Sequence, residues 1–273
     1  MGTFIGHTLT GSFLLFFGTW WTFSAWRNYV HSRENKQPYR CRCTYPVPCL
    51  SRKISMEGIL KIASSCAGFA VESPVTFGDD GVIDAASAQH KSVYTFYMLD
   101  GIVDVAYNAG VPFPPNTDYV ALVLAVISEG LQFYLHVHGR PHLDLMMHTL
   151  MVYIVAALVT CLFAEMCWPR SVLASLGRAY FCVLHGTWLW QIGFILYHPL
   201  PEFKPWDVNS PMDSMLAASA FAWHMMAVLV YVGMLGAVAW AVNRTCGRFF
   251  NEIVSVDAEE ADELSETLVN HSM

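Results

Sequence analysis

Seven long runs of apolar residues take up nearly all of this chain, and their length limits the fold more than any other feature. Each is on the order of 20 residues, which is what an α-helix needs to cross hydrocarbon about 30 Å thick. They fall at 8–26, 55–72, 92–111, 119–138, 143–167, 178–197 and 215–242. With 55% hydrophobic and 14% charged residues in a chain of 273, an ordinary soluble domain is excluded. The expected fold is all-α, a single polytopic membrane bundle of seven transmembrane helices over 1–248. Residues 249–273 are expected to form an acidic, disordered tail.

Local chemistry agrees with these boundaries. Val111-Pro112-Phe113-Pro114-Pro115 cannot continue a helix and closes the third run. Trp168-Pro169-Arg170 closes the fifth, and His198-Pro199-Leu200-Pro201 the sixth. The first run has Trp20, Trp21 and Trp26 where a signal peptide would need small residues, so it reads as a retained span.

Charge sets the expected orientation. Arg27, Arg33, Lys36, Arg40, Arg42, Arg52 and Lys53 lie between the first two runs, Arg170 and Arg178 flank the fifth-to-sixth connection, and Arg244 and Arg248 follow the seventh. Only Lys91, Arg140 and Lys204 fall on the other side, with Lys61 inside the second run. Eleven cations against three orient the N-terminus to the lumen or exterior and the C-terminus to the cytosol. The sequons at Asn243 and Asn270 then lie on the cytosolic side and are expected to stay unglycosylated. The net charge of −7 comes largely from the tail, and without a basic stripe no nucleic-acid partner is expected.

Most of the eleven histidines lie at or near the lumenal ends of the runs. Ionisable groups inside a bundle are functional candidates by default. Counting depth at about 1.5 Å per residue collects Asp104, Glu129, His136, Asp144, His148, Gln191 and His224 as lining a polar pocket toward the lumen. Glu129 and His136 share a helix face, as do Asp144 and His148. Within this set Glu129, His148 and His224 would suit Zn²⁺ with an open position for an activated water. The same residues also suit an interhelical hydrogen-bond network or a proton-responsive pocket without metal, which is the favoured reading of the two. Haem would need facing histidines at matched depth, and only His148 with His224 comes near. His185 reads as a packing or capping residue, Glu57 and Lys61 could pair along one face of the second helix, and Trp20-Trp21 read as packing. Cys41, Cys43 and Cys49 sit in the basic first loop, where S-acylation would strengthen attachment to the cytosolic leaflet.

Several short stretches resemble the transmembrane protein 45 family, whose shared region is a domain of unknown function. They include Gly6-His7, Gly11-Ser12-Phe13, Gly18-Thr19-Trp20-Trp21, Glu57-Gly58, His90 with Tyr94 and Asp104, and Glu129 followed by Phe133-Tyr134 and His136-Val137-His138-Gly139-Arg140. Leu143-Asp144 with His148, Gly186-Thr187-Trp188, Gln191-Ile192-Gly193-Phe194, Leu196-Tyr197 and Trp223-His224 continue the pattern, which runs from about residue 2 to 245. His185 and Leu135 depart from it. The resemblance implies a multi-pass protein of Golgi and endolysosomal membranes and supplies no catalytic residues. The expected function is non-enzymatic, in contact with membrane lipids and acting through cytosolic partners of the basic loop 27–53 and the acidic tail. A zinc-dependent hydrolase acting on a lipid and a proton-linked carrier are the alternatives.

Overall fold

The computed structural model describes residues 3–47, 54–71, 85–135 and 139–270, with side chains for all of these except 85–87 and 246–270. Among the described residues there are seven helices and no strand: α1 (Phe4–Glu34), α2 (Met56–Val71), α3 (Ala85–Asn108), α4 (Thr117–Leu135), α5 (His142–Cys167), α6 (Val172–Tyr197) and α7 (Pro211–Asn270). Four of them are long and apolar enough to cross a membrane by composition alone: α4, α5, α6 and the 211–245 part of α7. The mean hydropathy of α2 and α3 is interrupted by Glu57, Lys61, Asp100 and Asp104, all of which are buried.

Helix ends follow local chemistry. The hydroxyl of Thr3 accepts from the Gly6 amide at 3.0 Å and caps α1. Ser171 does the same for α6 through the Ala174 amide at 3.3 Å. His198 leaves α6 in the left-handed region, with φ of 42°, directly before Pro199, which cannot continue the helix.

The chain closes into a ring in sequence order. Helices α1 to α5 pack successively, α7 returns against α1 and α5, and α6 packs between α1, α5 and α7. Of the apolar window of α6, 61% is buried, against 17% for α7, so α6 is the core helix and α7 the peripheral one. Glycines allow the tightest approaches. A Cβ on Gly11 would stand 2.8 Å from the Gly186 carbonyl oxygen, and one on Gly58 would stand 2.8 Å from that of Gly101. Small residues at such crossings let backbones meet, which is how helices pack where lipid offers no hydrophobic drive. The α2–α3 crossing also sets the polar interior, because it brings Lys61 against the acidic face of α3.

Several expectations change here. Glu57 and Lys61 do not pair. Glu57 accepts from Trp20 Nε1 at 2.6 Å, Trp21 Nε1 at 3.0 Å and the Tyr45 amide at 2.7 Å. Lys61 Nζ instead lies 2.8 Å from Asp100 Oδ2 and 2.6 Å from Asp104 Oδ2. Trp20 and Trp21 therefore act as donors as well as packing groups. Arg178 is not a solvated flank. It is fully buried, donates to the carbonyls of Cys43 at 2.9 Å and Arg42 at 2.8 Å, sits 3.3 Å from Glu165, and lies 4.4 Å over the Trp21 ring. The acidic segment from 249, expected to be disordered, continues α7 in helical form to Asn270. It is rich in Glu, a good helix former whose propensity does not depend on an apolar period.

Candidate functional site

Two cavities lie inside the ring, with about 660 and 700 Å³ of empty space including their mouths. The first lies at the His7 end of α1 and is walled by His7, His90, Gln132, Phe133 and His148, among others. The second lies deeper, between Phe17, Lys61, Tyr97, Leu122 and Leu158. Thr10, Tyr94 and Glu129 belong to the walls of both, so the two spaces adjoin at Glu129.

Glu129 reaches that junction from α4 and is 2% exposed. Its Oε2 accepts from the Tyr97 hydroxyl at 2.7 Å. Its Oε1 lies 3.6 Å from His185 Nε2, too long for a hydrogen bond. His185 is fully buried, packs edge-on against Phe133 at 5.8 Å, and neither of its ring nitrogens has a hydrogen-bond partner among the described residues. Nearer the mouth, His148 Nδ1 stands 2.8 Å from Asp144 Oδ1, and the other oxygen of Asp144 accepts from Arg140 at 2.8 Å. His148 Nδ1 also lies 2.9 Å from the Asp144 carbonyl oxygen, so one helical turn of α5 holds the ring against Asp144, whose carboxylate is in turn held by an arginine. The His7 ring lies 6.4 Å from that of His148.

The seven sequence-derived candidates do not form one group. Glu129 and His148 line the same cavity, and Asp144 orients His148. Asp104 is engaged with Lys61 and lines neither cavity. Gln191 and His224 form a separate pair, Oε1 to Nε2 at 3.4 Å, beside Trp188. His136 lies outside the described residues. Among the described residues no three His, Cys, Asp or Glu side chains converge as a metal-holding group. The proposed zinc set of Glu129, His148 and His224 is therefore not assembled. Similar depth along the bundle left the direction around each helix axis open, and each of the three faces a different neighbour.

Lys61, Tyr94, Tyr97, Gln132 and His185 contribute to this interior but were absent from the sequence-derived set. Lys61 had a legible signal, since a lysine inside an apolar run must find carboxylates or line water. The tyrosines had none, because their ring content reads as ordinary apolar packing.

At the other end of the bundle the first loop is folded onto the helices. The Cys41 amide donates to the Pro169 carbonyl at 2.7 Å, and Arg178 ties down the next two residues. Burial pushes the thiols of Cys41 and Cys43 up from their ordinary value, Cys43 well above it. Cys43 is 2% exposed, which removes it as a site of S-acylation in the folded chain. Cys41 is half-buried, and Cys49 lies outside the described residues.

Known proteins resemble this chain in the same framework. A model described as a family of unknown function (DUF716) matches residues 116–237, from α4 into α7. The chain is 27% identical over 251 residues to transmembrane epididymal protein 1A of Mus musculus, covering 86% of this chain and 81% of that protein. It is 26% identical over 249 residues to transmembrane epididymal protein 1 of Rattus norvegicus, with the same coverage. With the Homo sapiens protein of that name it shares 29% identity over 139 residues, half of each chain. These matches support a DUF716-type membrane family rather than the transmembrane protein 45 family in particular. Together with helices able to cross a bilayer, they make this an integral, multi-pass membrane protein similar to a family whose activity is undefined.

Proposed function

We propose that this chain is a non-enzymatic, seven-pass protein of the endomembrane system that holds a small ligand inside its bundle and acts through cytosolic partners. The observation that carries ligand holding is the pair of cavities that share a buried, hydrogen-bonded glutamate in their walls. Seven helices on seven apolar runs, with ten cations at one set of connections once buried Arg178 is set aside and three at the other, support seven crossings with a lumenal N-terminus and cytosolic C-terminus. The resemblance to the transmembrane protein 45 family supports a Golgi or endolysosomal location. On the cytosolic side, exposed Arg33, Lys36 and Arg40 beside a pinned loop, and the acidic helix extension beyond 249, are the surfaces offered to partners.

Native mass spectrometry of the full chain in mild detergent tests the ligand reading. The protein should carry a small molecule that is lost in Leu158→Trp, which fills the deeper cavity. Equal occupancy in both chains, or none in either, refutes it.

A second reading, proton-linked carriage through the same interior, is favoured by Lys61 standing between two buried carboxylates. It expects substrate-driven flux in proteoliposomes that Glu129→Gln abolishes. The zinc-dependent hydrolase has no assembled ligand set among the described residues and is not carried forward.

A further inference from the structure

We infer that the ligand held by this interior is a single-chain cationic amphiphile, a long-chain primary amine, with its ammonium group at Glu129; this rests on the ligand-holding reading above. The first support is charge. Among the described residues, buried Glu57, Asp100, Asp104, Glu129, Asp144 and Glu165 stand against buried Lys61 and Arg178, and Asp144 is paired with half-buried Arg140. Arg178 serves Glu165, and Lys61 serves Asp100 and Asp104 together. Glu57 is surrounded by three N–H donors. That leaves Glu129 with one hydroxyl donor and a histidine beyond hydrogen-bond distance. An unpaired carboxylate in a low-dielectric interior is costly, and a cation delivered by the ligand removes that cost.

The second support is the chemistry of the walls beside Glu129. Gln132 offers a side-chain carbonyl and Thr10 a hydroxyl oxygen, which suit the three donors of a primary ammonium. The rings of Tyr94 and Phe133 stand in the same wall, and aromatic faces attract organic cations. A bare metal ion would require several converging ligands, and none converge among the described residues.

The third support is the shape of the space. Beyond Glu129 the deeper cavity is walled by Phe13, Phe17, Leu122, Val126, Leu158 and Leu162, the surface an alkyl chain requires. Its two cations are already matched by carboxylates, so they do not call for an anionic ligand. The outer cavity has its polar groups toward His7 and His148, the deeper one has the apolar walls, and Glu129 lines both, which gives the ligand one orientation.

The test uses the purified full chain in mild detergent with octadecylamine and octadecanol, probes of equal chain length that differ in charge. Binding is read by native mass spectrometry and by the rise in Tm. Octadecylamine is expected to bind about ten-fold or more tightly than octadecanol, the difference a charge-assisted hydrogen bond makes. Glu129→Gln should abolish that preference while leaving alcohol binding unchanged. Because Glu129→Gln also alters the Tyr97 partner, the amine–alcohol contrast on the unaltered chain is the primary readout. Equal affinity for the two probes, including the outcome in which protonation of Glu129 has replaced the cation, overturns the inference. If both bind equally and Leu158→Trp expels both, the amine inference falls while the ligand-holding reading stands. If neither probe binds, the inference falls too, and the copurified molecule then decides the ligand-holding reading by itself.

Discussion

Lys61→Met is the most informative single change, because the structure fixes what it would leave behind. Lys61 Nζ lies 2.8 Å from Asp100 and 2.6 Å from Asp104, and both carboxylates are fully buried. Removing the ammonium strands two acidic groups on one face of α3, one turn apart, with no other buried cation paired to them among the described residues. Breaking a buried pair from one side costs about 3–5 kcal/mol. For a chain of this size about 1 kcal/mol corresponds to roughly 2–4 °C in Tm, so the expected fall is about 6–20 °C. The assay is thermal unfolding of the full chain in one detergent at one scan rate, since irreversible unfolding makes Tm depend on rate. The triple variant Lys61→Met, Asp100→Asn, Asp104→Asn removes the whole charged group and should recover most of the loss, because neutral replacement of an entire buried ion group is often nearly free of cost. A fall of less than about 2 °C for Lys61→Met alone would show that water reaches these groups and that the packed interior argued above is wrong.

Four further outcomes follow from other contacts. Arg178→Lys should release the first loop and speed maleimide labelling of Cys43 at least several-fold, since a single ammonium cannot serve the Cys43 and Arg42 carbonyls and Glu165 together; unchanged labelling refutes the clamp. Gly58→Ala should destabilise by about 1–3 kcal/mol, seen in Tm, because its Cβ would meet the Gly101 carbonyl at 2.8 Å. Burial raises the Cys43 thiol and the Tyr45 phenol well above their ordinary values of 9.0 and 10.0, so the unfolded chain loses these protons first. Their stabilising contribution is complete below about pH 9 and declines as pH rises toward the folded values, so Tm should drop as pH rises above about 9 and Cys43→Ala should blunt the drop. Asn243 should carry no glycan in cells, since it is buried and its amide donates to the Glu34 carboxylate; a mass shift reversed by glycosidase would overturn the proposed cytosolic placement of the α7 end.

The helices were legible because their cause is local. Apolar run length, proline-containing breaks and the caps at Thr3 and Ser171 act within a few residues, and helices formed over each of the seven runs. Asp144 with His148 was legible for the same reason, since four residues along one helix fix a shared face. His185 was set aside as a packing residue, yet it stands nearest the free oxygen of Glu129, which lies on another helix. Lys61 was visible as an interruption, but its partner was sought one turn away on its own helix. The partner came from α3, because the glycine crossing at Gly58 and Gly101 sets those two backbones in contact.

From its sequence alone this chain determines that helices form over its seven apolar runs, where proline breaks them and which connections carry the cations, because hydropathy, proline geometry and charge act on each segment separately. Tertiary structure alone decides that Glu129 is shared by two cavities, that Lys61 serves Asp100 and Asp104, and that Glu129, His148 and His224 face different neighbours. Those outcomes depend on how each helix is rotated about its axis and how closely it approaches the next, and side-chain packing sets both only when all the helices are assembled.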